Sequence, residues 1–196
     1  MGKIKSALEL ALERTESVSG GKDSIVLFQA KQKGKKLANE FLSGTIPSFE
    51  TALNDASDNV RQNLKQGIFD VLISRITLPV TKDDATSVER AAAGLCFIIG
   101  NKVFSDLMKQ FNQLMSQFLD EAAEHQKVIA AQYEPKLRQK EDEIARRYGQ
   151  RIKLEPMQDP EFVAFFNQHM NELRGNYQGI IDQVRAQAEQ YFQGNE

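Results

Sequence analysis

Two stretches of this chain repeat apolar residues in steps of three and four, and together they fill nearly the whole C-terminal half. The first runs from Lys102 to Gly149 and carries Phe104, Met108, Phe111, Met115, Phe118, Ala122, Ile129, Tyr133, Leu137 and Ile144 in phase. The second runs from Asp159 to Phe192, with Phe162, Phe166, Met170, Leu173, Tyr177, Ile180, Val184, Ala188 and Tyr191. That spacing puts the residues on one face of a helix. Two such helices joined by a short connection close on each other antiparallel. Unbroken, the first would be about 70 Å long at about 1.5 Å per residue, well beyond the width of a compact domain. Pro135 removes one rung of its hydrogen-bond ladder. The apolar stripe nevertheless passes through Pro135 in phase, so a kink is expected there and not a turn.

Composition agrees with a molecule rich in helix surface and narrow seams. Hydrophobic residues make up 41% and charged residues 27% of the 196 positions, slightly polar for a compact globule. Trp is absent and β-branched runs are few, whereas Gln, Glu, Ala, Lys and Leu abound, which favours helix over sheet. The expected fold is all-α: a helical bundle with a long antiparallel coiled-coil-like hairpin, about six helices in all. Residues 1–80 would supply an arm and bundle helices, and residues 84–196 a buried central helix and the hairpin, the two forming one elongated unit.

Along the N-terminal part, Ile4, Ala7, Leu8, Ala11, Leu12 and Val18 mark a first amphipathic helix, closed by Ser19-Gly20-Gly21. It reads either as an ordinary bundle helix or as an arm that inserts into a partner subunit. A second helix is expected over Lys22 to Leu42, with Ile25, Phe28, Leu37, Ala38, Phe41 and Leu42 inward. A third, opening after Pro47, would run through Phe49, Leu53, Val60, Leu64, Ile68 and Leu72 to Ile76. Pro79 to Asp84 is the best joint, after which Thr86-Ser87-Val88-Glu89 has the form of a capping box. The following helix, Ala91 to Ile99, is apolar on every side and should be buried. Asp159-Pro160-Glu161 opens the last helix with a cap, a first-turn Pro and an acid at the positive dipole end. In that helix Gly175 and Gly179 are candidate points of close approach by another helix.

The opening Lys3-Ile4-Lys5-Ser6-Ala7-Leu8-Glu9-Leu10-Ala11-Leu12-Glu13-Arg14-Thr15-Glu16 resembles that of an uncharacterised group of small helical bacterial proteins. The resemblance extends weakly to the region from Pro156 to Phe166. It implies a bacterial, cytosolic setting and no activity or functional residue.

Chemistry is hard to assemble from these residues. The single cysteine, Cys96, permits no intramolecular disulfide and no cysteine zinc site, and no base or positive charge accompanies it in sequence. A carboxylate-bridged metal centre in a bundle needs Glu-x-x-His on two helices. His125 follows Glu124, and His169 precedes Glu172, so neither fits. With the hairpin turning near Leu154, His125 would face the neighbourhood of Val184 and His169 that of Lys140, tens of ångströms apart. Asp55 and Asp58 fall on adjacent turns, but nothing near them would raise a pKa. Phosphate-loop, dinucleotide and catalytic-triad patterns are absent. No catalytic residue, metal ligand or cofactor is assigned.

Two basic groups remain as candidate interaction surfaces. Lys31, Lys33, Lys35 and Lys36 form the most basic run, and Arg146, Arg147, Arg151 and Lys153 surround the expected hairpin tip. With a net charge of −2 and no interleaved aromatics, a solvated helix face accounts for the first group better than nucleic-acid binding. No apolar run reaches the roughly 20 residues of a membrane span. Met1-Gly2-Lys3-Ile4-Lys5-Ser6 matches the short acceptor pattern for myristoylation, but nothing else argues for a lipid anchor. The expected protein is therefore cytoplasmic and non-catalytic, an interaction or scaffold protein that self-associates or binds a protein partner. The alternatives are a stalk- or adaptor-like subunit of a larger assembly, and a weak nucleic-acid or phosphate binder.

Overall fold

The computed structural model describes residues 19–150 and 152–194. Among these residues it is 84% helical, with six α-helices and no strand. The elements are α1 (Ser19–Leu42), α2 (Glu50–Asn54), α3 (Asp58–Ser74), α4 (Lys82–Ile99), α5 (Lys102–Tyr148) and α6 (Pro160–Gln193), with a 3₁₀ turn at Pro156–Gln158 before α6. The helix expected over residues 4–18 lies outside the described residues.

Helices α1 to α4 and the adjoining ends of α5 and α6 share one core. It includes Ala38, Phe49, Leu64, Ile68, Leu72, Leu95, Phe104, Phe111, Val184 and Phe192, and so draws on both sides of the Pro79–Asp84 joint. Phe69 of α3 stacks on Phe192 of α6 at 4.3 Å between ring centroids, tying the end of the chain to the bundle. Beyond that base a second cluster continues the α5–α6 seam, with Phe118, Ile129, Tyr133, Leu137, Phe162, Met170 and Leu173, and with Leu78 and Leu154 packed against it.

The helix expected from Phe49 to Ile76 is two helices, broken at Asp55 to Ser57. Arg61 holds the break: its Nε donates to the Leu53 carbonyl at 2.8 Å and a terminal nitrogen donates to the Ala56 carbonyl at 2.9 Å. Those groups would otherwise lose their helical partners. The capping box also moves. Asp84 N–H donates to Thr81 Oγ1 at 3.1 Å and Thr81 N–H donates to Asp84 Oδ2 at 2.9 Å. Thr86 sits inside the helix, its hydroxyl donating to the Lys82 carbonyl at 3.1 Å. Both stretches have the same form, but the earlier start adds a turn and sets Asp83 and Asp84 at the positive end of the dipole. From Ala91 to Ile99 helix α4 is apolar all round but not buried all round: Ala91, Ala92, Leu95, Ile98 and Ile99 are buried, while Ala93 and Phe97 face outward.

Glycine marks a close helix crossing, but not where the sequence pointed. A Cβ on Gly34 of α1 would collide with the Leu64 carbonyl oxygen of α3, and one on Gly67 of α3 with the Lys31 carbonyl oxygen of α1. Ala30 and Ala38 flank Gly34 one turn away on each side, both buried, so the two backbones meet along a strip of small residues. Gly175 and Gly179 have nothing within 4 Å of where a Cβ would stand; no helix crosses there. With Ala30, Gly34 and Ala38 on the face that meets α3, Ile25 and Phe28 fall on the opposite side of α1, at 56% and 63% exposed, against the expectation that both point in.

Helix α5 runs unbroken through Pro135. Pro135 and Ala131, one turn back, are both exposed, so water can reach the carbonyl left unpaired. Gly100 ends α4 in the left-handed region (φ 64°), and the Asn101 side chain then caps α5 by accepting from Phe104 N–H at 3.1 Å. Along the hairpin Phe104 meets Tyr191, Phe118 meets Tyr177, and Tyr133 meets Phe162. That register is not the one implied by a turn centred on Leu154. The chain doubles back after Tyr148, so Leu154 N–H donates to Glu141 Oε1 at 2.8 Å and α6 begins level with the middle of α5's outer half. The outermost turns of α5 are thus braced by an irregular segment instead of by a helix.

Candidate functional site

The densest polar arrangement in the molecule lies where that returning segment enters α6. Asp159 is the N-cap of α6, accepting from Glu161 N–H at 3.0 Å, and its side chain is only 4% exposed. Lys140 of α5 donates to both of its oxygens, at 2.7 and 2.9 Å, and the Tyr133 hydroxyl donates to it at 3.3 Å. Glu161 receives Lys140 at 3.0 Å and Lys136 at 2.8 Å. A buried carboxylate is tolerated here because it is both paired and hydrogen-bonded.

The electrostatics describe a clamp. The Lys140 hydrogen bond holds the Asp159 carboxyl below the usual range, and the Asp159 hydrogen bond in turn pushes the Lys140 ammonium above its own. Hydrogen bonds from Lys136 and then Lys140 bring Glu161 down to about 2. Every shift moves the group further from neutrality. General acid–base work needs the opposite, a pKa drawn toward the operating pH. The cluster's contacts tie Lys140 of α5 to the cap and first turn of α6.

Beside the clamp the outer turns of α5 and the returning segment enclose a cleft of about 380 Å³, lined by Lys140, Glu143, Ile144, Arg147, Tyr148, Leu154, Gln158, Asp159 and Pro160. Of the basic residues expected at the tip, Arg147 lines this cleft, and Arg146 and Lys153 are exposed at the same end of the hairpin. Arg151 lies outside the described residues. The Lys31 to Lys36 group sits on α1 in the bundle, and part of it is engaged. Lys31 pairs with Asp70 of α3 at 2.8 Å and Lys36 with Glu40 at 3.8 Å, while Lys33 is exposed and Lys35 half-buried.

His125 and His169 are brought together, contrary to the expected separation. Their rings meet edge to face with centroids 6.4 Å apart, and Phe165 packs on His169. The shift in register accounts for the error. His169 Nδ1 lies 3.7 Å from Glu172, yet among the described residues no group of three or more His, Cys, Asp or Glu is placed to share a metal ion. Cys96 is half-buried, and burial pushes its thiol up, away from the reactive thiolate. The clamp itself was missed in sequence. Asp159-Pro160-Glu161 was legible as a cap, but its cationic partners could not be found while the register was wrong.

No helix among the described residues is long and apolar enough to cross a membrane. A family model matches residues 50–190, from α2 to the last turn of α6, and so takes in α2 to α4 of the base and the hairpin with its clamp and cleft, leaving α1 outside. The chain belongs to that family, a family of unknown function designated DUF6657. No curated protein and no solved structure matches the chain.

Proposed function

We propose that this chain is a non-catalytic interaction protein, a helical base carrying a projecting hairpin, that self-associates through the N-terminal part of α1. One observation carries the reading. Ile25, Val26, Leu27 and Phe28 are consecutive, so they point to every side of the helix, yet Ile25, Val26 and Phe28 are 56%, 49% and 63% exposed. A turn that is apolar all round belongs in an interior, and a contiguous apolar surface of this kind marks a place where another protein packs. The resemblance of the opening residues to small bacterial proteins supports a bacterial, cytoplasmic setting. Lys31 and Lys36 already hold carboxylates, which weakens the reading of α1 as a phosphate-binding strip.

Sedimentation velocity on the full chain tests this. The species should exceed the 22.1 kDa monomer, and Phe28→Asp should return it to monomer without loss of helix signal. A monomer of compact frictional ratio at high concentration would overturn the reading. A second reading, a stalk- or adaptor-like subunit, is favoured by the length of α5, 47 residues in one helix. It predicts stoichiometric partners on native purification in place of self-association.

A further inference from the structure

We infer that what covers the outward turn of α1 is the same face of a second copy of the chain, paired in parallel along a seam that starts before α1 and runs from Ile4 to Phe28. The inference rests on the self-association reading and gives it a geometry. Ile25 and Phe28 lie on the side of α1 turned away from α3, 56% and 63% exposed. In steps of seven before Ile25 stand Val18, Ala11 and Ile4. Three of those four residues are β-branched, the shape that packs at the first core position of a parallel two-stranded coil. The repeat is sustained over the length at which a heptad pattern becomes informative. Beyond Phe28 the next core positions are Gln32 and Lys35, so the seam ends where α1 joins the bundle.

The second line of the seam is poorer. In steps of seven before Phe28 stand Gly21, Arg14 and Ala7, so Phe28 alone adds bulk there. Such a pair is held weakly and parts on dilution. Its flanks do not oppose it. Beside the seam before Ile25 only Lys3 and Lys22 are charged, and in a parallel pair they stand opposite Leu8 and Ser17.

The other apolar segment within reach is the chain's own residues 4–18, which lie outside the described residues. Gly20-Gly21 is the place where the sequence would let that segment turn back onto Ile25 and Phe28. Helix α1 takes both glycines in, since it runs helical from Ser19, against the expectation that they close a preceding helix. The chain does not reverse there, and a helix axis continued back from Ser19 leads away from Ile25 and Phe28 of the same molecule. A second copy meets the whole line at once. Because the seam lies opposite the α3 contact, the two bundles stand on its outer sides without collision.

Sedimentation velocity on the full chain across a concentration series tests the seam. The parent should pass from monomer to dimer. Ala11→Asp, on the seven-residue line but far in sequence from the exposed turn, should weaken the dimer at least about tenfold. Ser6→Asp adds the same charge on the opposite side of the repeat and should leave the dimer unchanged. In a Cys96→Ser background, Ile25→Cys should form a disulfide-linked dimer on mild oxidation, because two copies of that position meet only in the parallel register. An Ala11→Asp variant as dimeric as the parent, in a protein that Phe28→Asp still turns monomeric, sinks the seam and leaves self-association through α1 standing. A dimer in which Ile25→Cys fails to cross-link overturns the parallel pairing. A parent that stays monomeric sinks both readings. A parent that becomes oligomeric only on Ala11→Asp overturns the seam in favour of residues 4–18 covering the turn within their own molecule.

Discussion

Two antiparallel helix pairs hold this molecule together, and they do so by opposite means. Between α1 and α3 the backbones touch, because Gly34 and Gly67 present no side chain at the crossing and Ala30 and Ala38 continue the strip. Between α5 and α6 the axes are kept apart by large side chains: Phe104 against Tyr191, Phe118 against Tyr177, Tyr133 against Phe162. The first pair depends on what is missing from a few positions and has no way to relax if something is added. The second spreads its attachment over many aromatic and aliphatic contacts. Glycine is therefore indispensable in one pair and incidental in the other.

Substituting glycines in both pairs puts the contrast to its hardest test. Gly67→Ala should destabilise the protein by more than about 4 kcal/mol, since the new methyl has only backbone to displace. In the same thermal denaturation assay Gly179→Ala should stabilise by about 0.5–1 kcal/mol, because that site is open and Ala is the better helix former. Equal effects at the two sites would erase the distinction. At the next scale down, Ile129→Ala in the outer seam, where Ile129 is 2% exposed, should cost about 2–4 kcal/mol in chemical denaturation. A cost below about 1 kcal/mol would mean that the outer hairpin is not packed as a core.

The smallest effect concerns one hydroxyl on the seam. Tyr177 donates to Glu121 at 2.5 Å across the hairpin, and that hydrogen bond, helped by burial, lifts its pKa to about 12 from an ordinary 10.0. The folded state therefore retains a proton that the unfolded chain has already lost. The Tyr177 contribution is complete below pH 10, falls as pH rises toward 12, and is gone above that. Tyr177→Phe should remove this contribution, lowering stability at neutral pH and flattening the alkaline decline, so that parent and variant converge above pH 12. An unchanged slope in the variant would assign the decline to other groups.

The all-α architecture and the pairing of the two long helices were legible because a stripe of period three to four is carried by dozens of residues, and no single error can hide it. Register was not legible. Reading it from sequence requires knowing where the chain doubles back after Tyr148, and no local pattern announces that. That one gap misplaced His125 and His169 and concealed the Lys140–Asp159 pair. The α1–α3 crossing did leave a signal, the run of small residues Ala30, Gly34 and Ala38 at intervals of four. It was overshadowed by the lysines between them, which drew attention to charge. The Thr81 cap was likewise present in the sequence, in competition with a second motif of the same form five residues on. Of the candidate site, the basic residues of the tip were visible, but the cleft they surround is made by the returning segment and has no local pattern.

The doubled-back link has one last consequence. Since facing side chains and the clamp at Asp159 set how the long helices align, the link between Tyr148 and Leu154 has only to bridge them. An insertion of one or two residues there should leave the Phe104–Tyr191 and Tyr133–Phe162 pairings in step, and so cost far less stability than the same insertion inside either long helix.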